Sequence, residues 1–333
     1  MQTMGPDMIK HIDESAIWYV SGPKPLIRPA HLAEPGPDEV LVEALVSGVS
    51  RGTESLVFQG KIPESEYLSM RAPNQEGDFP HPVKYGYSMV GKIVAGPPDL
   101  IEKHVFCLYP HQTRFILHRD KVTGIPDGVP DNRAVLAANM ETALNALWDG
   151  GAAPGDRVAV VGAGVIGCLT AYLAGRLPGT EVCLIDIDPG RRRIAEALGV
   201  GFAAPADATG DRDLVFHASA AQAGLQTAIR LAGFEARIVE MSWYGSKPVA
   251  VELGGGFHSR RLRILASQVG AIPADRRARW SFGRRLCAAL SLLKDDRLDC
   301  LLDEMCDFAD APDCLARWLA PGGHGLCHAI KYS

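Results

Sequence analysis

The sequence lacks the features that mark membrane and secreted proteins. No apolar run approaches the roughly 20 residues that a membrane-spanning helix needs, so no membrane partner is expected. The N-terminal segment has no basic region followed by an apolar core, which predicts that there is no signal peptide. The eight cysteines form no C-x-x-C pair, and free thiols of this kind usually pack as small hydrophobic groups. These absences together predict a reduced, cytoplasmic protein.

The sequence also lacks the charge pattern of a nucleic-acid-binding protein. Its 333 residues carry a formal net charge of −5, the pI is about 6.1, and no stripe of Lys and Arg is present. A nucleic-acid partner is therefore not expected, because it would require clustered positive charge. With 47% hydrophobic residues, the chain has enough apolar material to build two folded domains.

A glycine-rich turn is the most informative feature of the chain. The apolar run 157–161 predicts a buried parallel strand, and after it Gly162, Gly164 and Gly167 form the pattern G-x-G-x-x-G. In a dinucleotide-binding fold the first glycine permits the tight turn, the second lets the backbone approach the pyrophosphate, and the third lets the helix pack closely on the strand. The positive end of that helix then points at the phosphates. The sequence therefore predicts a dinucleotide site, with an ordinary strand–helix turn as the alternative.

An acidic residue after the second strand indicates which dinucleotide is bound. Asp186 follows Gly162 at close to the ~20-residue spacing expected of the carboxylate that binds the adenosine ribose. A carboxylate accepts hydrogen bonds from a free 2′-hydroxyl and repels a 2′-phosphate, so NAD is favoured over NADP. Arg191, Arg192 and Arg193 keep NADP open as an alternative, because they could hold a phosphate instead of lying in a solvated helical turn.

The order of predicted strands and helices gives the fold class. Alternating apolar residues around proline-rich turns predict antiparallel strands in the N-terminal part, including one over 39–46, and a helical pattern follows over 131–148. From 158 to 265 strands and helices alternate, which is typical of a doubly wound parallel sheet that binds ligands at its carboxyl edge. The predicted fold is therefore α/β, a Rossmann sheet plus a β-rich domain. The residues predicted to contact the cofactor are Gly162, Gly164, Val165, Ile166, Gly167, Asp186, Ile187, Arg191, Ser219, Ser242 and Trp243.

The chain resembles the medium-chain dehydrogenase/reductase superfamily over nearly its whole length. The resemblance lies in the order of its predicted parts: an N-terminal β-rich domain, a helix, a central Rossmann unit and a C-terminal segment that rejoins the first domain. The resemblance implies a GroES-like catalytic domain at residues 1–138 and 269–333, and a Rossmann domain at 139–268. It also implies that a small-molecule substrate binds in the cleft between the two domains. Relatives pair a strand of the Rossmann domain with its counterpart in a second subunit, so a homodimer is expected.

The chain departs from this superfamily wherever zinc would be bound. Zinc-containing alcohol, polyol and threonine dehydrogenases use a Cys in a G-x-C-G-T-D-like loop, a His-Glu pair in a G-H-E motif, and a third ligand before the nucleotide fold. Gly52-Thr-Glu54 and Gly86 preserve parts of the two motifs. The corresponding ligand positions hold Ser50 or Arg51, Tyr87, Ser88, and Ala137 or Ala138. The four-cysteine lobe of a structural zinc site is also missing. No bound metal is therefore expected.

Three stretches, at residues 50–54, 83–88 and 139–145, resemble a zinc-free branch of the superfamily. The branch contains the dehydrogenase that acts on the hydroxyethyl group of a bacteriochlorophyllide. The resemblance implies hydride transfer to or from a hydroxylated substrate more firmly than it implies any one substrate.

Three polar side chains could do the chemistry that zinc does in such enzymes. Zinc stabilises the developing alkoxide, and without it a positioned donor must act on the substrate oxygen. Tyr87 occupies a ligand position and could transfer a proton, or it could simply fill the space of the metal. Thr53 matches the hydroxyl that shuttles protons in relatives. Glu141 is expected to face the nicotinamide, where desolvation could raise its pKa enough for a general base, or to be a solvated helix residue. His111 is a reserve candidate.

The sequence therefore predicts a zinc-independent, NAD(H)-dependent oxidoreductase. It would interconvert a secondary alcohol, such as a polyol, a sugar or a related hydroxylated small molecule, and its ketone. One alternative is a zinc-free quinone or enoyl reductase that uses NADPH. The other is a nucleotide-binding protein without catalytic activity.

Overall fold

The structure, a computed structural model, describes residues 12–332, which form two compact units. The first unit comprises the described residues up to Ile125, Met305–His324, and the residues from Ala329 onward. The second comprises Pro126–Glu304 and Gly325–His328. Among the described residues, no helix is both long enough and apolar enough to cross a membrane.

The N-terminal part of the first unit is built from short strands and one helix, α1 (Arg51–Phe58). Its strands are β1 (Ile12–Tyr19), β2 (Leu26–Leu32), β3 (Glu39–Val49), β4 (Glu76–Gly77), β5 (Val83–Lys84), β6 (Met89–Ala95), β7 (His104–Cys107), β8 (Arg114–His118) and β9 (Val122–Gly124). Four of them form an antiparallel sheet in the order β2-β1-β5-β4. This is the β-rich domain that the sequence predicts.

The second unit alternates helices and strands. Its elements are α2 (Asp131–Ala134), α3 (Ala137–Gly150), β10 (Arg157–Val161), α4 (Val165–Ala174), β11 (Glu181–Ile185), α5 (Arg192–Leu198), β12 (Gly201–Ala203), β13 (Arg212–His217), α6 (Gln222–Leu231), β14 (Ala232–Glu240), α7 (Gly256–Ser259), β15 (Arg263–Ala266) and α8 (Phe282–Leu292). The chain ends in β16 (Leu302–Asp307), α9 (Ala311–Trp318) and β17 (Cys327–Lys331).

The sheet of the second unit confirms the predicted fold. Its six strands are all parallel and lie in the order β12-β11-β10-β13-β14-β15, the order of a Rossmann fold. The sequence analysis missed β12, which is only three residues long and begins with a glycine. The point where the strand order reverses lies between β10 and β13, and ligands bind beyond the carboxyl ends of those strands.

A larger sheet of seven strands has the order β16-β17-β3-β6-β7-β9, and β8 pairs with the first half of β3. The strand predicted to end at residue 46 continues to Val49, because Ser47 still pairs with Met89 of β6. The first turn of α1 follows directly. This short connection places Ser50, Thr53 and Glu54 close to the end of a buried strand.

The domain boundaries implied by the resemblance differ from the units of the structure. The boundaries at 138/139 and 268/269 both fall inside the second unit. The reason is packing, since α3 contacts both α4 and α8. The helices on either side of the Rossmann sheet therefore belong to one compact unit with it.

Candidate functional site

The three glycines of the predicted phosphate-binding turn lie directly after β10 in the second unit. Gly162 has φ of +108°, and a Cβ built on it would lie 2.7 Å from the backbone nitrogen of Ser219. A Cβ on Gly167 would lie 1.8 Å from the Gly162 carbonyl oxygen, so only glycine lets α4 pack this closely. Gly164 is the N-cap of α4, and no atom lies within 4 Å of where its Cβ would be. The first glycine has a positive φ, the second leaves open space and the third allows close packing, which is the geometry of a phosphate-binding turn.

Asp186 lies at the carboxyl end of β11 and is tied to the glycine turn. Its Oδ2 accepts a hydrogen bond of 2.6 Å from the Ala163 N–H, and its Oδ1 accepts one of 2.9 Å from the Asp188 N–H. Each carboxylate oxygen keeps a free lone pair. The next side chain, Ile187, is 87% exposed. A partly exposed carboxylate beside an exposed aliphatic side chain fits a ribose and the base attached to it.

Two of the three arginines after Asp186 have contacts within the protein. Arg191 forms an ion pair of 3.3 Å with Asp188 and donates to the Gly325 carbonyl. The Arg192 guanidinium lies 4.9 Å from the ring centre of Phe202. A 2′-phosphate would have to compete with these contacts and with Asp186.

A cluster of polar side chains lies at the carboxyl ends of β13 and β14, and we call it the His217 cluster. Its members are His217, Ser219, Glu240, Ser242 and Tyr244. His217 is fully buried, and its Nδ1 lies 2.9 and 2.8 Å from the two carboxylate oxygens of Glu240. Its Nε2 lies 2.7 Å from Ser219 Oγ. Tyr244 OH donates to Glu240 at 3.1 Å, and the Ser242 N–H donates at 2.8 Å.

Burial alone would raise the pKa of Glu240. The hydrogen bonds and the charge interaction with His217 lower it instead, with further help from Ser242, so the carboxyl group is ionised. The sequence analysis singled out Ser219 and Ser242 but not their partners. The sequence did contain one signal for these partners, a histidine directly after the apolar run Leu214-Val-Phe216. Trp243, also predicted at this edge, is partly buried in the loop after β14.

In the first unit, two of the positions where zinc ligands are expected contact each other directly. Tyr87 OH donates a hydrogen bond of 2.5 Å to Ser50 Oγ, and Thr53 also hydrogen-bonds the phenol. Burial raises the pKa of Tyr87 to about 12, although the two hydroxyl partners lower it in part. The phenol is therefore protonated near neutral pH and able to donate.

A buried carboxylate lies directly behind this hydroxyl pair. Glu54 is fully buried and accepts hydrogen bonds from the Ser50 N–H at 2.7 Å and from Tyr19 OH at 2.6 Å. His111 Nε2 lies 3.0 Å from the same carboxylate, and its Nδ1 lies 2.7 Å from Ser47 Oγ. Burial alone would raise the pKa of Glu54, but His111 and these hydrogen bonds lower it.

His111 is therefore a partner of Glu54 in the interior rather than a residue at the surface of a cleft. The carboxylate holds the backbone of Ser50, and Ser50 in turn receives the Tyr87 hydrogen bond. This connection was not predicted, because residues 54 and 111 are far apart in the sequence and meet only in the folded sheet.

Glu141 does not lie in solvent. It is 5% exposed, and Arg285, itself buried, donates to it from Nε at 2.9 Å. Arg285 also donates to Asn145 and to the Val269 carbonyl. Burial raises the pKa of Glu141, as the sequence analysis expected of a desolvated base, and Arg285 opposes that rise. The geometry is that of an ion pair connecting α3 to α8.

The side chains at the expected zinc positions are not of the types that usually bind zinc. Zinc in proteins takes thiolate, imidazole and carboxylate ligands. Ser50 and Tyr87 offer only hydroxyl groups, and Ala137 offers no donor. Within residues 12–332, no group of three or more His, Cys, Asp and Glu side chains is placed to hold a metal ion.

No family model matches the sequence. The chain is similar to D-guloside 3-dehydrogenase of Escherichia coli K12, with 24% identity over 311 residues, covering 83% of this chain and 87% of that protein. It is also similar to 2-desacetyl-2-hydroxyethyl bacteriochlorophyllide A dehydrogenase of Rhodobacter capsulatus. In that case the identity is 26% over 272 residues, covering 76% of this chain and 81% of the relative.

Solved structures show the same fold. A proposed zinc-binding dehydrogenase of Sinorhizobium meliloti bound to NADP has a TM-score of 0.76 and 19% identity, covering 96% of this chain and 99% of its own. A short-chain alcohol dehydrogenase of Escherichia coli complexed with NADH has a TM-score of 0.74 and 17% identity, with the same coverage. The structural neighbours share the fold, and the two curated relatives are both named as dehydrogenases; the chain is an oxidoreductase acting on CH-OH groups.

Proposed function

We propose that this oxidoreductase interconverts a secondary alcohol and its ketone with NAD(H) as the redox partner and without zinc. The substrate class is a polyol, a sugar or a related hydroxylated small molecule, since the similar proteins include a guloside dehydrogenase. The observation that carries the proposal is the hydrogen bond between Tyr87 and Ser50, which replaces two zinc ligands by a proton donor and its acceptor. A homodimer in the cytoplasm is part of the same proposal.

The glycine turn and Asp186 fit a dinucleotide. Gly164 leaves room beside the α4 N-terminus, where Val165 and Ile166 offer backbone N–H groups to a pyrophosphate. Asp186 has lone pairs for the ribose hydroxyls, and this favours NAD over NADP because a 2′-phosphate would meet a negative charge. When bound, NAD(H) supplies the hydride acceptor or donor.

Tyr87 is the proposed proton donor to the substrate oxygen. With a pKa of about 12 the phenol keeps its proton at neutral pH and can release it to an oxygen that is gaining negative charge. In the structure the phenol donates to Ser50, which Glu54 holds, and Thr53 also hydrogen-bonds the phenol. Direct transfer to the substrate requires the hydroxyl to rotate from Ser50 to the substrate oxygen. Glu141 is the second candidate for proton transfer, and its ion pair with Arg285 favours a structural role.

The test is steady-state NADH absorbance with purified protein and a panel of polyols, sugars and glycosides, with and without a chelator. We expect turnover that the chelator does not change, and NADH bound more tightly than NADPH in calorimetry. Tyr87→Phe should lower kcat on the order of 100-fold, the scale of general acid catalysis.

The matched control is Tyr109→Phe, a buried ring of the same unit that stacks on Phe115. It should leave kcat unchanged. Full activity of Tyr87→Phe would remove the proposed proton donor, and absence of turnover on every alcohol tested would remove the proposed reaction. A preference for NADPH with activity on quinones or enoyl substrates would favour the reductase alternative.

A further inference from the structure

The hydroxyl groups of Thr53, Tyr87 and Ser50 form a chain of hydrogen bonds with one direction. Tyr87 OH donates its only proton to Ser50 Oγ at 2.5 Å. In its contact with the phenol, Thr53 is therefore the donor, because the phenol oxygen has a lone pair left but no second proton. The chain thus runs from Thr53 through Tyr87 to Ser50.

Ser50 lies at the end of this chain and still has a proton to donate. A serine hydroxyl carries one proton besides the lone pairs with which it accepts. Its oxygen accepts from Tyr87, and among residues 12–332 no group accepts the Ser50 proton in return. The hydroxyl is therefore available to donate to a bound molecule.

The place of Ser50 on α1 shows that its side chain is not used to cap the helix. Ser50 is the N-cap residue, where a serine hydroxyl usually accepts a backbone N–H of the first turn and contributes about 1 kcal/mol. Here the side chain makes no such bond. Glu54 instead holds the start of α1 by accepting the Ser50 N–H at 2.7 Å, and the hydroxyl contacts Tyr87.

The start of α1 is open to a small molecule. Ser50 is only partly buried, whereas Glu54, which holds its backbone, is fully buried. Gly52, two residues further on, is exposed, and no protein atom lies within 4 Å of where its Cβ would be. The chain of hydroxyls therefore ends at a residue that a bound molecule can approach.

We propose that the proton of Tyr87 reaches the substrate through Ser50: Ser50 donates its own proton to the substrate oxygen and takes up that of Tyr87 in the same step. The inference rests on the proposed function and deepens it, since it names a catalytic residue of the same site. It uses the hydrogen bond as it stands, so the phenol does not have to rotate. The resemblance implies that Thr53 is the proton shuttle, whereas this direction places Thr53 at the far end of the chain.

The proton transfers balance in ketone reduction. The Ser50 O–H bond breaks as the O–H bond of the product alcohol forms, and the Tyr87 O–H bond breaks as that of Ser50 forms again. The carbonyl carbon takes up the hydride that NADH supplies, so the ketone is reduced and the cofactor is oxidised. The phenolate left on Tyr87 is stabilised by the Thr53 hydroxyl and regains a proton from water after the alcohol leaves.

The experiment measures single-turnover reduction of the ketone that corresponds to the best alcohol of the panel, with NADH. Ser50→Ala and Tyr87→Phe should each slow reduction about 100-fold, the scale of general acid catalysis. The double variant should be no slower than the slower single variant, because both hydroxyls serve one transfer in series. A phenol that rotates and donates directly gives another result. Ser50→Ala would then reduce the ketone at least as fast as wild type, since it frees the phenol from its acceptor.

Two controls show that the hydroxyl of Ser50 is the cause. Ser50→Thr keeps a hydroxyl on the same carbon and should restore most of the rate that Ser50→Ala loses. Ser55→Ala removes a serine of the same helix that lies outside the chain of hydroxyls and should react as wild type. Ser50→Ala keeps the N–H that Glu54 accepts and removes no capping bond, so its melting temperature and its NADH affinity in calorimetry should not change.

The solvent isotope effect of wild type is a second measurement, and it decides even if Ser50→Ala does not fold. When two protons move in one step, the single-turnover rate falls along a curve as the deuterium fraction of the solvent rises, whereas one moving proton gives a straight line. We expect a curve for wild type and a straight line for Tyr87→Phe.

A straight line for wild type, or a wild-type rate in Ser50→Ala, would overturn the inference and leave Tyr87 as the direct donor of the proposed function. Absence of ketone reduction and of alcohol oxidation by wild type would remove the proposed function itself.

Discussion

At the scale of single residues, the protonation state of Tyr87 makes a sharp prediction. Burial raises the pKa of this phenol to about 12, so the folded enzyme keeps the proton donor intact at every ordinary assay pH. We expect the ratio of ketone-reduction rates of wild type and Tyr87→Phe to stay constant between about pH 6 and 9. The measurement is kcat for both proteins across that range. A ratio that falls as pH rises would show that the phenol ionises within this pH range.

Two glycines of the phosphate turn should respond differently to the same substitution. Gly164→Ala meets no atom within 4 Å, so the protein should keep its melting temperature but bind NADH about 10-fold more weakly, because the methyl group occupies the pyrophosphate space. Gly167→Ala would collide with the Gly162 carbonyl and should destabilise the fold by about 2 kcal/mol.

The control for both substitutions is Gly124→Ala in β9, where a Cβ also meets open space. Thermal unfolding and NADH fluorescence titration check all three variants. Unchanged NADH affinity in Gly164→Ala would argue against a pyrophosphate at this turn.

At the scale of elements, the ion pair between Glu141 and Arg285 connects α3 to α8. Removing one partner leaves the other charge buried without compensation, so Glu141→Gln should lower the free energy of unfolding by about 3 kcal/mol. Urea denaturation measures this. The double variant Glu141→Leu with Arg285→Met should recover much of the loss, because both charges are then removed.

The same variants separate the two roles considered for Glu141. If the ion pair is structural, folded Glu141→Gln keeps its kcat. A large fall in kcat at conditions where the variant is fully folded would instead restore Glu141 as the general base.

Elements with local signals could be predicted from the sequence, and contacts that depend on register could not. The strand, glycines, helix and acid from Arg157 to Asp186 were all predicted, since each has its own local pattern. The pairing of His217 with Glu240 was missed, because it arises from the parallel register of β13 and β14. Periodicity identifies strands, but it does not say which residues lie side by side.

The same limit applies in the first unit. Tyr87 and Thr53 were found through motif positions, yet the carboxylate of Glu54 and its partner His111 were assigned no shared role. Their contact depends on how α1 and the strand-end turn at Pro110 come together, which no short sequence window encodes. Motif positions therefore single out candidate residues, but not the side chains that pack behind them.

At the scale of the whole molecule, each unit carries a different part of the proposed reaction. The second unit has the phosphate turn, the ribose carboxylate and the His217 cluster. The first has the hydroxyl pair of Tyr87 and Ser50, and the buried carboxylate of Glu54 accepts a hydrogen bond from the Ser50 N–H. A metal ion would have to be held by hydroxyl groups and alanine at the expected ligand positions, which is chemically unfavourable.

Metal removal tests on the intact enzyme whether the proposed reaction proceeds without a bound ion. Dialysis against a strong chelator should leave both kcat and the melting temperature unchanged, because in the proposed mechanism neither the proton donor nor the fold uses an ion. A zinc-dependent alcohol dehydrogenase treated in parallel should lose activity, which shows that the chelation worked. Elemental analysis completes the experiment. One tightly held zinc per subunit, with activity lost on its removal and restored on its return, would contradict the proposal, because catalysis would then depend on a Lewis acid rather than on Tyr87.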